Sequence, residues 1–173
     1  MKTKLLCAVS ILVILLIFNL SCRKNQPPKE EDACSAYGSS KSTSCFNLNV
    51  TLHGKGTQSG YIKFRQDADS AKIITLETKI SHLLPRHEYL LQRAVDAINV
   101  VDGNCTSTSW LTLGRGLTAQ SILTNANGTG TEVLWRDVST IATGSTFDIH
   151  FQVIDATNMA VVLSSDCYQY TVR

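Results

Sequence analysis

Cysteine and histidine have the widest chemical reach in this 173-residue chain. A thiol can be acylated, bonded to another thiol or given to a soft metal, and an imidazole can move protons or ligate. Cys7, Cys22, Cys34, Cys45, Cys105 and Cys167 carry the thiols, and His53, His82, His87 and His150 the imidazoles. Their spacing argues against a built metal centre: no Cys-x-x-Cys or nearby His pair supports zinc. Neither His-Glu-x-x-His nor a Gly-x-Ser-x-Gly elbow occurs. Gly114-Arg115-Gly116 is too short for a phosphate loop and reads as a turn. Asp67, Asp69 and Asp102 fall in turn-like stretches, where Asp is common because it bonds its own backbone. No catalytic residue, metal ligand or cofactor is assigned from these motifs.

The elements around the thiols say where the chain goes. Lys2 and Lys4 precede the apolar run Leu5 to Phe18, and Ser21-Cys22 follows it. Charge, apolar segment and small residue come in the order of a secretory signal. The run is shorter than the about 20 residues of a spanning helix. A Cys directly after the small residue resembles a bacterial lipoprotein signal. Asn19 departs from that family's Leu, while Leu20 and Ser21 lead to the Cys. The resemblance implies cleavage after residue 21 and acylation of Cys22, which becomes the first mature residue. The alternatives are an ordinary secretory signal or an uncleaved anchor.

Residues 22–44 read as a tether. Pro27, Pro28, Lys29, Glu30, Glu31 and Asp32 carry no apolar period, and Ser and Gly dominate after Ser35. Acidic residues after the Cys resemble the surface-export signals of some Bacteroidetes lipoproteins, but there they sit closer to the Cys than Glu30 does, and a plain solvated linker is the favoured reading. The expected location is the outer membrane, periplasmic or surface-exposed, with the lipid as the membrane contact. Losing Lys2 and Lys4 brings 16 basic residues to 14, level with the 14 acidic ones. A near-neutral mature chain without clustered Lys/Arg leaves no nucleic-acid footprint.

Cys34, Cys45, Cys105 and Cys167 remain for disulfides, an even number in an exported chain. Four cysteines allow three pairings. The favoured one is Cys34–Cys45, worth roughly 3 kcal/mol, with Cys105–Cys167, worth about 4 kcal/mol.

From Phe46 the pattern is strand after strand. Phe46, Leu48, Val50 and Leu52 alternate with polar neighbours. Further strands are expected at Tyr61 to Phe64, Ile73 to Ile80, Tyr89 to Val95, Trp110 to Leu113 and Thr131 to Val138. Phe147 to Val153, Met159 to Leu163 and Tyr168 to Val172 complete the set. Asn127-Gly128 signals a turn. A helix over Leu83 to Ala97 is the alternative to the strand at Tyr89. Residues 45–173 are therefore expected to be one all-β domain, an antiparallel Greek-key sandwich or flattened barrel of about eight strands.

The order of features resembles the copper–zinc superoxide dismutase sandwich and the related chordin-type (CHRD) domains. Gly60-Tyr61-Ile62-Lys63-Phe64 is similar to their opening strand, and Ile80 to Tyr89 to the entry of the first metal strand. Gly103-Asn104-Cys105 is similar to a Gly-Cys that bonds a Cys near the C-terminus, where Cys167 stands. Asn127-Gly128 is similar to the Asn-Gly before the next strand. Leu90 and Gln92 occupy the two places where that family has copper-binding histidines, and Thr106 to Ala126 holds no His or Asp for zinc. The resemblance therefore implies the fold without its metal chemistry, with apolar packing around Leu90. His150 alternates with apolar neighbours on its strand and reads as a solvated strand-face residue.

Asp69-Ser70-Ala71 resembles a short Bacteroidetes O-glycosylation motif. Asn49, Asn104 and Asn127 begin N-glycan sequons, which a bacterial lipoprotein would not normally use. Two function classes follow. One is a non-enzymatic, lipid-anchored module binding a protein, glycan or small ligand, and the other a divergent dismutase-like metal enzyme.

Overall fold

Period-two alternation becomes strand wherever the sequence sustains it. The computed structural model describes residues 45–67 and 70–173. The signal at 1–21, Cys22, the tether, Cys34 and Asp69 lie outside the described residues. The strands are β1 (Phe46–Gly54), β2 (Ser59–Gln66), β3 (Ile73–Ser81), β4 (Glu88–Val95), β5 (Leu111–Thr112) and β6 (Gly114–Arg115). They continue as β7 (Thr118–Ala119), β8 (Ser121–Leu123), β9 (Gly130–Asp137), β10 (Thr146–Asp155), β11 (Val161–Ser165) and β12 (Tyr168–Thr171). No helix forms among the described residues. At residues 88–95 the strand prevails over a helix because Tyr89 and Leu91 point inward while β10 pairs alongside, from Ile149↔Val95 to Asp155↔Tyr89.

The strands form one nearly closed barrel. Its order is β5-β4-β10-β11-β1-β2-β3-β9-β6-β7, with β12 on β10 and β8 on β4. β11 and β12 both lie on the side of β10 away from β4, so they act as one strand interrupted at Asp166 and Cys167. The sheet is mixed rather than purely antiparallel, because β6 meets β9 in a parallel rung at Arg115↔Trp135. The strand count also exceeds eight, since residues 111–123 break into four short pieces. Gly114 forces one break: a Cβ there would run into the Thr118 carbonyl.

These pieces leave a weak seam. β4 is fully paired to β10 on one side, but on the other meets only β5 and β8. β9 is fully paired to β3, but on its far side makes only that single rung.

Inward-facing Leu52, Ile62, Phe64, Leu76, Leu91 and Phe151 build the core. Each fully buried aliphatic or aromatic chain contributes about 1.5–3 kcal/mol. Tyr170 joins them through edge-on contacts with Phe64 and Phe46, at centroid distances of 4.9 and 5.1 Å. The Asn127-Gly128 turn forms as its chemistry requires. Gly128 takes φ 70° against the Leu83 carbonyl, where a Cβ would clash. The Asn125 Oδ1 accepts from the amides of Asn127 and Thr129.

β10 departs from the expected one-sided burial. Asp148 and Gln152, on the face expected to be solvated, are buried as well. Residues 96–113 lie over that face, and Asp148 accepts from the amides of Asp102 and Gly103 at 2.8 and 2.9 Å.

Candidate functional site

The residues singled out from sequence fall into separate groups. Cys105 and Cys167 are bonded, with Cα atoms 5.4 Å apart, tying residues 96–113 to the β11–β12 break. Cys45 is also in a disulfide, and its expected partner Cys34 lies outside the described residues. His53 and His82 are exposed. Asp67 is exposed, and Asp102 accepts from the amide of Asn104 in a local turn. Asn104 and Asn127 are exposed.

His87 is half-buried, and its Nε2 donates to Oδ2 of Asp155 at 2.9 Å. Asp155 also accepts from the amides of Thr157 and Asn158. The His87 bond first, then the Thr157 amide, hold the Asp155 carboxyl below the usual carboxylate range. Tyr89 packs edge-on to His87, and its hydroxyl accepts from the Leu84 amide at 3.0 Å. Burial raises the Tyr89 phenol above its ordinary value.

His150 is half-buried rather than solvated, because residues 96–113 cover it. Its Nε2 donates to the Ser107 carbonyl at 3.0 Å, and its ring lies 4.6 Å from that of Trp110. Asp96 accepts from the amides of Thr106 and Ser107, and the Thr106 bond leads in lowering its pKa.

Leu90 corrects a second expectation. It does not sit in the interior: strand alternation turns Leu91 into the core and Leu90 to the outer face, half-buried. Gln92 shares that face, donating to the Thr112 hydroxyl at 3.0 Å and accepting from Gln152 at 2.7 Å. Copper does not fit these residues. His150 pairs across from Ala94, whereas Asp155, which holds His87, pairs across from Tyr89. Five strand residues separate the two places by roughly 17 Å, too far for one ion. No group of three or more His, Cys, Asp or Glu converges among the described residues.

A concave feature lies elsewhere among the described residues, in the barrel interior beside the seam. A pocket of about 490 Å³, its mouth included, is walled by Phe64, Leu76, Phe147, Phe151 and Tyr170. Val95 and Leu113 line it from the β4 side, and Val138 and Ile141 from the β9 side. Its charged lining residues are Arg93 of β4 and Arg136 of β9. Arg136 donates from Nη1 to the Gly116 carbonyl at 3.3 Å. The Arg93 guanidinium makes no hydrogen bond or ion pair among the described residues. Burial, and then the Arg136 charge, press the Arg93 guanidinium below the usual arginine range. Sequence reasoning passed over both residues. The readable signal was phase: Arg93 shares the inward register of Tyr89, Leu91 and Val95, and Arg136 that of Leu134 and Val138.

Comparisons with known protein families, curated proteins and solved structures return no match.

Proposed function

We propose that the protein is an exported, lipid-anchored envelope module that holds a small apolar ligand inside its barrel, without catalysing a reaction on it. The pocket carries this reading. An apolar concavity with a few convergent polar groups is the form that small-molecule sites take, and here the same barrel interior that forms the core opens beside the seam. Export is supported by the charge–apolar–Ser21-Cys22 order and by the Cys105–Cys167 bond, which persists in oxidising compartments. The acyl chains on Cys22 would hold the module at the outer membrane.

The Greek-key and dismutase-like reading is supported by β11 lying against β1 beside the β1-β2-β3 meander, and by the position of the disulfide. The arrangement of His87, Leu90, Gln92 and His150 weighs against the metal-enzyme alternative.

Methyl NMR of the full mature chain titrated with decanol tests the pocket. Shifts confined to Leu76, Val95, Leu113 and Val138 support it. Shifts spread over exposed Leu117 and Val161, with none at the pocket methyls, would reject it.

A further inference from the structure

We infer that the pocket selects a carboxylate-bearing apolar molecule, whose head is gripped by Arg93 and Arg136; this rests on the pocket-binding reading above. Two arginine side chains line one cavity from inward positions on β4 and β9, strands that form opposite sides of the seam. At such positions a barrel ordinarily places aliphatic chains. A guanidinium stays charged, and half-buried without a counter-ion it carries an uncompensated desolvation cost.

Arg93 has no carboxylate partner among the described residues, and none of the residues lining the pocket is acidic. The like charge of Arg136 adds repulsion that only an anion removes. A carboxylate with two acceptor oxygens can take one fork from each guanidinium.

The rest of the lining fixes the remainder of the ligand. Phe64, Phe147, Phe151, Leu76 and Ile74 make the interior largely apolar, and the Tyr170 hydroxyl, the one uncharged polar side-chain group of the lining, is already bonded to Gln66. The pocket is small, its about 490 Å³ including open space at the mouth, which limits the ligand to a slender chain. A monoanion suits the site better than a phosphate dianion, because a second charge would be desolvated against apolar walls. Arg136 already gives one N–H to the Gly116 carbonyl, which fixes its fork at the seam.

Calorimetric titration of the full mature chain with decanoate, decanol and decyltrimethylammonium separates head from tail, since all three share one chain. Decanoate should bind at least about tenfold more tightly than decanol, and the cation most weakly. Arg93→Gln and Arg136→Gln should each erase most of that preference, read as the ratio of decanoate to decanol affinity within each variant. Equal binding of decanoate and decanol would overturn the carboxylate inference and leave the apolar pocket standing. A decanoate preference that survives both substitutions would overturn the assignment to these arginines. Binding of none of the three would reject the pocket reading itself.

Discussion

Gln66 is fully buried yet completely partnered. It accepts from the Tyr170 hydroxyl at 2.6 Å and the Arg173 amide at 2.9 Å, and its Nε2 donates to the Arg173 carbonyl at 3.3 Å. Gln66→Leu keeps the volume but orphans the Tyr170 hydroxyl and the last backbone groups. It should destabilise the fold by about 2–4 kcal/mol, read as a lowered urea midpoint at unchanged slope. A midpoint within error of wild type would show the cluster to be dispensable. Asp155 gives a pH signature. Its folded pKa is depressed by His87 and the Thr157 amide, so the folded state resists protonation more than the unfolded chain. The stabilisation is therefore present above the ordinary carboxylate value near about 3.9 and is lost as pH falls through the lower folded value. Asp155→Asn should make the acid limb of stability shallower, though not flat, because Asp96 and Asp137 are depressed as well. An identical limb in the variant would contradict this. At this scale the thiol pairing of Cys105 with Cys167 was legible from order along the chain. The partners of Gln66 and Arg93 were not, since sequence phase gives the face of a strand and not what meets it.

The segment 96–113 is the element that decides what β10 becomes. It is held by the disulfide, by Asp148 accepting two of its amides, by Asp96 accepting two more, and by His150 donating to Ser107. Replacing Cys105 and Cys167 together by Ser opens a loop of sequence separation 62. The loss should be about 4 kcal/mol, with faster amide exchange concentrated at residues 101–110. Unchanged exchange there would mean that the hydrogen bonds alone hold the segment. The long strands β1 to β4 and β9 to β10 were readable because each runs for eight residues or more, with alternation clearest in β1 and β10. β5 falls within the strand expected at Trp110 to Leu113, but β6 to β8 were not legible, because two or three residues are too few to show a period. The burial of Asp148 and Gln152 was also hidden, because it depends on a covering segment that no alternation announces.

At the scale of the molecule, the barrel's incomplete closure and its pocket belong together. A seam held by one parallel rung and short β5 and β8 pieces leaves the inward faces of β4 and β9 partly uncovered, and both arginines stand there. All-β architecture was legible from alternation, whereas mixed pairing and the seam follow from the broken run 111–123. The proposed envelope anchor predicts that Cys22→Ser shifts the protein out of the membrane fraction or blocks its maturation; unchanged fractionation and mature mass would refute it. The proposed ligand is tested most directly by a crystal structure of the full mature chain grown with decanoate. The account predicts an alkyl chain among Phe64, Leu76 and Phe151, with its carboxylate within hydrogen-bond distance of both Arg93 and Arg136. A cavity left without ligand at saturating decanoate, or a ligand seated elsewhere on the barrel, would contradict it.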